Sequence, residues 1–264
     1  MISSRICSRT LQLLQRCCDI SNVSFLGQSA MEFLFDNKNC TVLAQGVYGK
    51  CYLAHMTCSK WVLKNTTDVP GNVQAMLSEI RGLSVLQDCP GVQQLVMVCP
   101  ETLSIITQYG GEPVDKYVAR NCCSDSQVLD IFLQLTDTLI SIHQKGWTHL
   151  DVKSDNVTVC SSQAGLHVTL IDFGLATPIG HGRGFPKGTL SEHTAPEVLA
   201  GCPCSPQSDV YSMARLVSRL VKWPMLNSQL SKWMHHGLNV NPRERHSLPA
   251  LSTILKGLKK TFCR

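Results

Sequence analysis

Gly146-Trp147-Thr148-His149-Leu150-Asp151-Val152-Lys153-Ser154-Asp155-Asn156-Val157-Thr158-Val159 is the stretch from which the fold can be read. It opens at a glycine that ends a helix-like run and closes on a short apolar segment, Val157 to Val159. Between them, the octet His149 to Asn156 holds a histidine, two aspartates, a lysine and an asparagine. An aspartate can take a proton from a hydroxyl, an asparagine carbonyl can bind a hard cation, and a lysine between them can neutralise a phosphate. Sixteen residues beyond Asn156 stands Asp172-Phe173-Gly174, preceded by the strand-like run Val168 to Ile171. Either piece alone is a weak signal. The two in this order, at this spacing, are a specific one.

A chain of 264 residues can form one large domain or two small lobes around a substantial core. Hydrophobic residues at 44% and charged residues at 16% fit an ordered globular protein. The net charge of +5 suits an anionic ligand such as a nucleotide and is too diffuse to point to nucleic acid. The 14 cysteines lack the paired CxxC spacing of zinc sites: Cys17-Cys18 and Cys122-Cys123 are adjacent, and Cys202-Pro203-Cys204 stands alone. Met1 to Ile20 is interrupted by Arg5, Arg9 and Arg16 and has no apolar core of the secretory type. The cysteines are therefore read as reduced thiols of a cytoplasmic or nuclear protein. No apolar run approaches the roughly 20 residues that span a bilayer.

Residues 1–35 form an extension in which Leu11, Leu13, Leu14 and three arginines suit a short amphipathic helix. Such a segment suits either mitochondrial targeting or packing on the back of the first lobe, and packing is the simpler reading. From Cys40 the pattern turns to short apolar segments, Thr41–Leu43, Cys51–Ala54 and Trp61–Leu63, which read as strands. Gln74–Leu86 carries Met76, Ile80, Leu83 and Leu86 at helical spacing, and Leu95–Val98 and Leu103–Thr107 suggest a further strand pair. Beyond Gly110-Gly111 the chain reads as mostly helical. Val128, Ile131, Phe132, Leu135, Leu139 and Ile142 form one stripe; Val210, Met213, Ala214, Val217 and Leu220 form another; Leu248–Leu258 makes the last helix. The expectation is an α+β protein of two lobes: a small β-rich lobe over residues 36–107, a hinge at about 108–111, and a larger helical lobe over 112–264.

The octet and the Asp-Phe-Gly triplet together resemble the catalytic loop and metal-binding triplet of the eukaryotic protein kinases. The resemblance extends over roughly residues 40 to 258. Leu43 to Cys51 looks like the glycine-rich loop over nucleotide phosphates, with Gly46 and Gly49 kept and Ala44 where the first glycine usually stands. By itself such a glycine pair suits a hairpin turn equally well. Lys64, fifteen residues after Gly49, matches the phosphate-binding lysine, and Glu79 its ion-pair partner. Without that context both would pass as surface charges. Cys51 and Val62 would border the adenine ring; Val62 replaces the usual alanine and should narrow that pocket. Thr107 takes the gatekeeper position, its small side chain leaving the back of the pocket open, with Gln108 and Tyr109 in the hinge.

The resemblance makes Asp151 the base for the substrate hydroxyl, puts Lys153 beside the transferred phosphoryl group, and has Asn156 and Asp172 hold Mg²⁺. Lysine two places after the aspartate is the serine/threonine form. Leu150 replaces the arginine that usually answers to a phosphorylated activation-loop residue, which argues against that kind of switch. Ala195-Pro196-Glu197 resembles the motif that closes the activation segment, with Arg245 as partner of Glu197. Between Gly188-Thr189 and Ala195 there is one residue more than usual, leaving open whether Thr189 reaches Asp151, and the segment 221–245 is short.

The implied function is a monomeric serine/threonine protein kinase using ATP and Mg²⁺ on protein substrates, with Thr189, Ser191 and Thr194 as possible autophosphorylation sites. A non-catalytic kinase-like binding module is the alternative, with Ala44, Val62 and Leu150 as its signs. A small-molecule kinase is a third reading, disfavoured by the Ala-Pro-Glu motif and the late arginine.

Overall fold

The computed structural model describes residues 6–35, 40–46, 49–184, 191–221 and 227–262. The chain forms two units, Met1–Gln87 with Gln93–Tyr109, and Asp88–Val92 with Gly110–Arg264.

In the first unit the apolar segments become β1 (Cys40–Gly46), β2 (Gly49–His55), β3 (Lys60–Thr66), β4 (Leu95–Cys99) and β5 (Ser104–Gln108). They pair antiparallel in the order β1-β2-β3-β5-β4. Gly46 and Gly49 face each other at the β1–β2 turn. Gly49 has φ +139°, and a Cβ there would stand 1.8 Å from the Asn65 carbonyl oxygen, so the neighbouring strand already demands glycine. Residues paired across antiparallel strands share a face. Cys51, Val62, Lys64, Ile105 and Thr107 therefore lie on one face, and Tyr52, Trp61, Leu63 and Ile106 on the other.

The first face receives α3 (Pro70–Leu86), started by a proline at its first turn, where the missing N–H costs nothing. Its Val73, Met76, Leu77 and Ile80 pack with Val98, Leu103 and Ile105. Against the same cluster lies α1 (Ser8–Ser21), contributing Leu14, Cys17 and Cys18. On the opposite face α2 (Gln28–Leu34) sets Met31 with Leu63, Cys99 and Ile106.

The second unit is mainly helical: α4 (Val114–Asn121), α5 (Asp125–Gln144), α6 (Pro196–Leu199), α7 (Pro206–Leu220), α8 (Ser228–Gly237) and α9 (Leu248–Phe262). A capping box starts α5: the Gln127 N–H donates to Ser124 Oγ at 3.3 Å, and the Ser124 N–H donates to Gln127 Oε1 at 2.8 Å. The stripe from Val128 to Ile142 is buried, as are Val210, Met213, Ala214 and Val217 of α7 and Leu251 and Leu255 of α9. The short segment after Val221 holds α8, whose Trp233 is wholly buried and donates its indole N–H to the Ser247 carbonyl at 3.0 Å. Three strands, β6 (Glu112–Pro113), β8 (Val157–Ser162) and β9 (Gly165–Leu170), form a small sheet, and β7 (Trp147–Thr148) pairs with β10 (Thr177–Pro178). The α+β expectation holds: strands dominate the first unit and helices the second. The cysteines among the described residues are free thiols. No helix among the described residues is long and apolar enough to cross a membrane.

Candidate active site

In the first unit, strand β3 presents Lys64 on the same face as α3, where its Nζ meets Glu79 Oε2 at 2.8 Å. The Glu79 side chain is 3% exposed and that of Lys64 19%, so the pair is sheltered enough to be stronger than a surface bridge. Cys51 stands opposite Lys64, and Val62 opposite Thr107. Thr107 is buried, and its hydroxyl accepts a 2.9 Å hydrogen bond from the carboxamide of buried Gln93. The space beside the small threonine thus holds a glutamine, which nothing in local spacing had suggested. The Gln108 N–H donates to the Gln94 carbonyl at 2.9 Å and the Tyr109 N–H to that of Lys60 at 2.9 Å. Ala44 and Gly46 lie on β1 opposite Cys51 and Gly49; Val47 and Tyr48 are outside the described residues.

In the second unit the octet lies between β7 and β8. Asp209, fully buried on α7, holds its backbone. One carboxylate oxygen accepts the Leu150 N–H at 2.8 Å; the other accepts the His149 N–H at 2.9 Å and lies 2.8 Å from His143 Nε2. Burial alone would raise the Asp209 pKa, but the bond from His143 and these further contacts leave it lowered. Leu150 has φ +65°, a left-handed conformation that costs a leucine about 1–2 kcal/mol. The two N–H bonds to Asp209 and the burial of Leu150 among Ala195, Val198, Cys204 and Tyr211 hold it there. His149 is buried edge-on to Phe173, with ring centroids 4.8 Å apart. Its Nδ1 accepts the Asp151 N–H at 3.2 Å and its Nε2 lies 3.1 Å from the Ile171 carbonyl oxygen. Both bonds require the neutral, Nε2-protonated ring, and desolvation lowers its pKa in the same sense.

Asp151 is the centre of this arrangement. Its Oδ2 accepts from Lys153 Nζ at 2.8 Å and from Asn156 Nδ2 at 2.7 Å, which fills that oxygen. Its Oδ1 lies 2.8 Å from His193 Nε2 and keeps one lone pair for an incoming donor. Burial pulls the Asp151 pKa up, yet the bonds from His193 and Lys153 and the Lys153 charge outweigh it and hold the carboxyl below its ordinary range. His193 was missed in the sequence because the resemblance pointed to a threonine; Thr189 lies outside the described residues. The extra residue before Ala195 is the one local sign in the sequence that the spacing here departs from the usual one.

Asn156 spends its Nδ2 on the carbonyl oxygen of Asp151 at 2.9 Å as well as on Oδ2, and its own Oδ1 accepts no hydrogen bond among the described residues. Val157 pairs with Leu170, and the Ile171 N–H donates to the Asn156 carbonyl at 2.9 Å, so the β8–β9 hairpin brings Asn156 and Asp172 to one end. Asp172 sits at φ +64°, with its Oδ1 accepting the Gly174 N–H at 3.3 Å. A carboxamide oxygen and a carboxylate oxygen are hard donors that fit Mg²⁺. Farther along, Arg245 forks onto both oxygens of Glu197 at 2.8 Å each, stacks 5.1 Å over the Tyr211 ring, and donates to the carbonyls of Asn239, Gln207 and Val240. The pairing expected of Glu197 and Arg245 is present.

Comparison with known proteins places the chain in a family. The chain is 34% identical over 118 residues to the serine/threonine-protein kinase cds1 of Schizosaccharomyces pombe, covering 42% of this chain and 25% of that protein. It is 27% identical over 158 residues to human calcium/calmodulin-dependent protein kinase type IV, covering 58% of this chain and 32% of that protein. It is 27% identical over 139 residues to the maternal embryonic leucine zipper kinase of Xenopus laevis, covering 48% of this chain and 20% of that protein. It thus spans between a fifth and a third of the length of these relatives. Residues 38–254 match the family described as the protein kinase domain, and the chain belongs to that family.

Proposed function

We propose that the chain is an ATP- and Mg²⁺-dependent kinase acting on serine and threonine hydroxyls of proteins. The observation that carries this is the state of Asp151: ionised, with one oxygen filled by Lys153 and Asn156 and the other still able to accept a hydroxyl. Asp151 Oδ1 orients the acceptor hydroxyl and receives its proton as the hydroxyl oxygen bonds to the γ-phosphorus and the bond from that phosphorus to the bridging oxygen of the departing ADP breaks. Lys153 screens the charge shared between the carboxylate and the phosphoryl oxygens. Lys64, aligned by Glu79, holds the α- and β-phosphates. Asn156 Oδ1 and the Asp172 carboxylate would hold Mg²⁺, which supplies charge neutralisation at the phosphates. Positioning and electrostatics supply most of the acceleration in this chemistry. Residues 36–107 and 112–264 act as the two lobes, with 108–111 as hinge.

The test is Mg²⁺-dependent transfer of labelled phosphate from ATP to generic protein substrates, beside Asp151→Asn. Loss of a proton acceptor should cut the rate about 10²–10⁴-fold. Ala44, Val62 and Leu150 favour a second reading, a kinase-like binding module without turnover. Thermal stabilisation by ATP with no transfer in either protein would select it.

A further inference from the structure

Whether Lys64 meets Glu79 depends on where α3 sits, because α3 carries Glu79 while β3 carries Lys64. The family match begins at residue 38, so α1 and the segment after it lie outside it. Yet α1 lays Leu14, Cys17 and Cys18, one stripe of helical spacing, against Val73, Met76, Leu77 and Ile80 of α3. Leu14 and Cys18 are wholly inaccessible. Burial pushes the Cys18 thiol up to about 11, so it packs as an uncharged group.

Both ends of α1 are tied down. At its start, Asp68 in the turn before α3 accepts the Cys7 N–H at 2.9 Å and the Thr10 hydroxyl at 3.0 Å, placing an anion at the helix N-terminus. At its end, Asn22 turns left-handed, Val23 packs on the same cluster, and its N–H donates to the Cys18 carbonyl at 2.9 Å. The chain then pairs with edge strand β4: the Val98 N–H donates to the Ser24 carbonyl at 3.1 Å and the Leu26 N–H to the Val98 carbonyl at 2.8 Å. Residues 6–26 thus run as a strap from the loop before α3, along α3, to the far edge of the sheet.

We infer that residues 6–26 are a built-in positioning element that holds α3 so that Glu79 meets Lys64. The inference rests on the kinase reading of those two residues.

The experiment uses the full chain with Leu14→Glu, which drives a charge into the α1–α3 contact. Leu13→Glu is the control, since Leu13 is 47% exposed on the same helix. Hydrogen exchange reads α3 directly and needs no turnover. Leu14→Glu should speed exchange of the α3 amides about tenfold or more while β2, β3 and the second unit stay protected. It should lower kcat/KM about ten- to a hundredfold, as loss of alignment does. A synthetic peptide of residues 6–26 added in trans should reverse both effects, and Leu13→Glu should show neither. If Leu14→Glu does not fold, Leu14→Ala with the same readouts takes its place. A folded, active chain whose α3 exchange and turnover are indifferent to these changes overturns the inference. An inert wild-type chain whose α3 still loosens overturns the kinase reading and leaves the strap standing.

Discussion

His193 Nε2 lies 2.8 Å from Asp151 Oδ1, so a residue of the loop before α6 holds the Asp151 oxygen that Lys153 and Asn156 leave open. Because a carboxylate only accepts, the imidazole nitrogen is the donor. This bond is among the effects that keep the Asp151 pKa low against its burial. Removing it with His193→Ala should move the acid limb of the kcat/KM profile to higher pH and lower kcat about tenfold, the worth of about 1.4 kcal/mol. His193→Gln, which keeps a donor, should recover most of both. An acid limb that stays in place in the alanine variant would show that His193 does not hold Asp151.

Asp209 should govern stability at acid pH. Its pKa is lowered in the fold, so its contribution is present above the ordinary aspartate value of about 3.9 and is lost as pH falls through the folded value. Asp209→Asn places an amide against the N–H groups of His149 and Leu150 and frees the left-handed Leu150. Urea unfolding at neutral pH should show a loss of about 3–5 kcal/mol, and the variant's stability should fall less on acidification than the wild type's.

Arg245 is wholly buried at its side chain and makes its bidentate pair inside the second unit. Arg245→Met should cost about 3–5 kcal/mol, because Glu197 would be left without its cation and three carbonyls would lose the bond from Arg245. Reversing the pair, Glu197→Arg with Arg245→Glu, should not restore stability, since a glutamate cannot donate to those carbonyls. Chemical denaturation of the three proteins is the check.

Two glycines should answer oppositely to alanine. Gly49→Ala forces a Cβ onto the Asn65 carbonyl at positive φ and should destabilise by about 1–3 kcal/mol. Gly257, exposed within α9, has nothing within 4 Å of a Cβ. Gly257→Ala should stabilise by about 0.8–1 kcal/mol through helix propensity. Paired thermal melts decide both, and the Gly49 result also tells whether that glycine is kept for the sheet or for phosphate alone.

Where the candidate site is built from neighbours in the chain, its pieces were legible in the sequence by itself. His149 to Asn156, the Asp-Phe-Gly triplet, and Lys64 on a strand ahead of Glu79 on a helix are local patterns. Periods of two and of about 3.6 placed the elements that hold them, because a buried face repeats at the period of its backbone. Tertiary structure alone decided the contacts that close over long loops. His193 reaches Asp151 from 42 residues away, Asp209 reaches the His149 and Leu150 N–H groups from 60 and 59 away, and Asp68 reaches Cys7 from 61 away. No spacing rule encodes such partners. They meet because α7, α3 and α1 are brought in by their apolar faces, and the polar groups carried along must find partners once water is excluded.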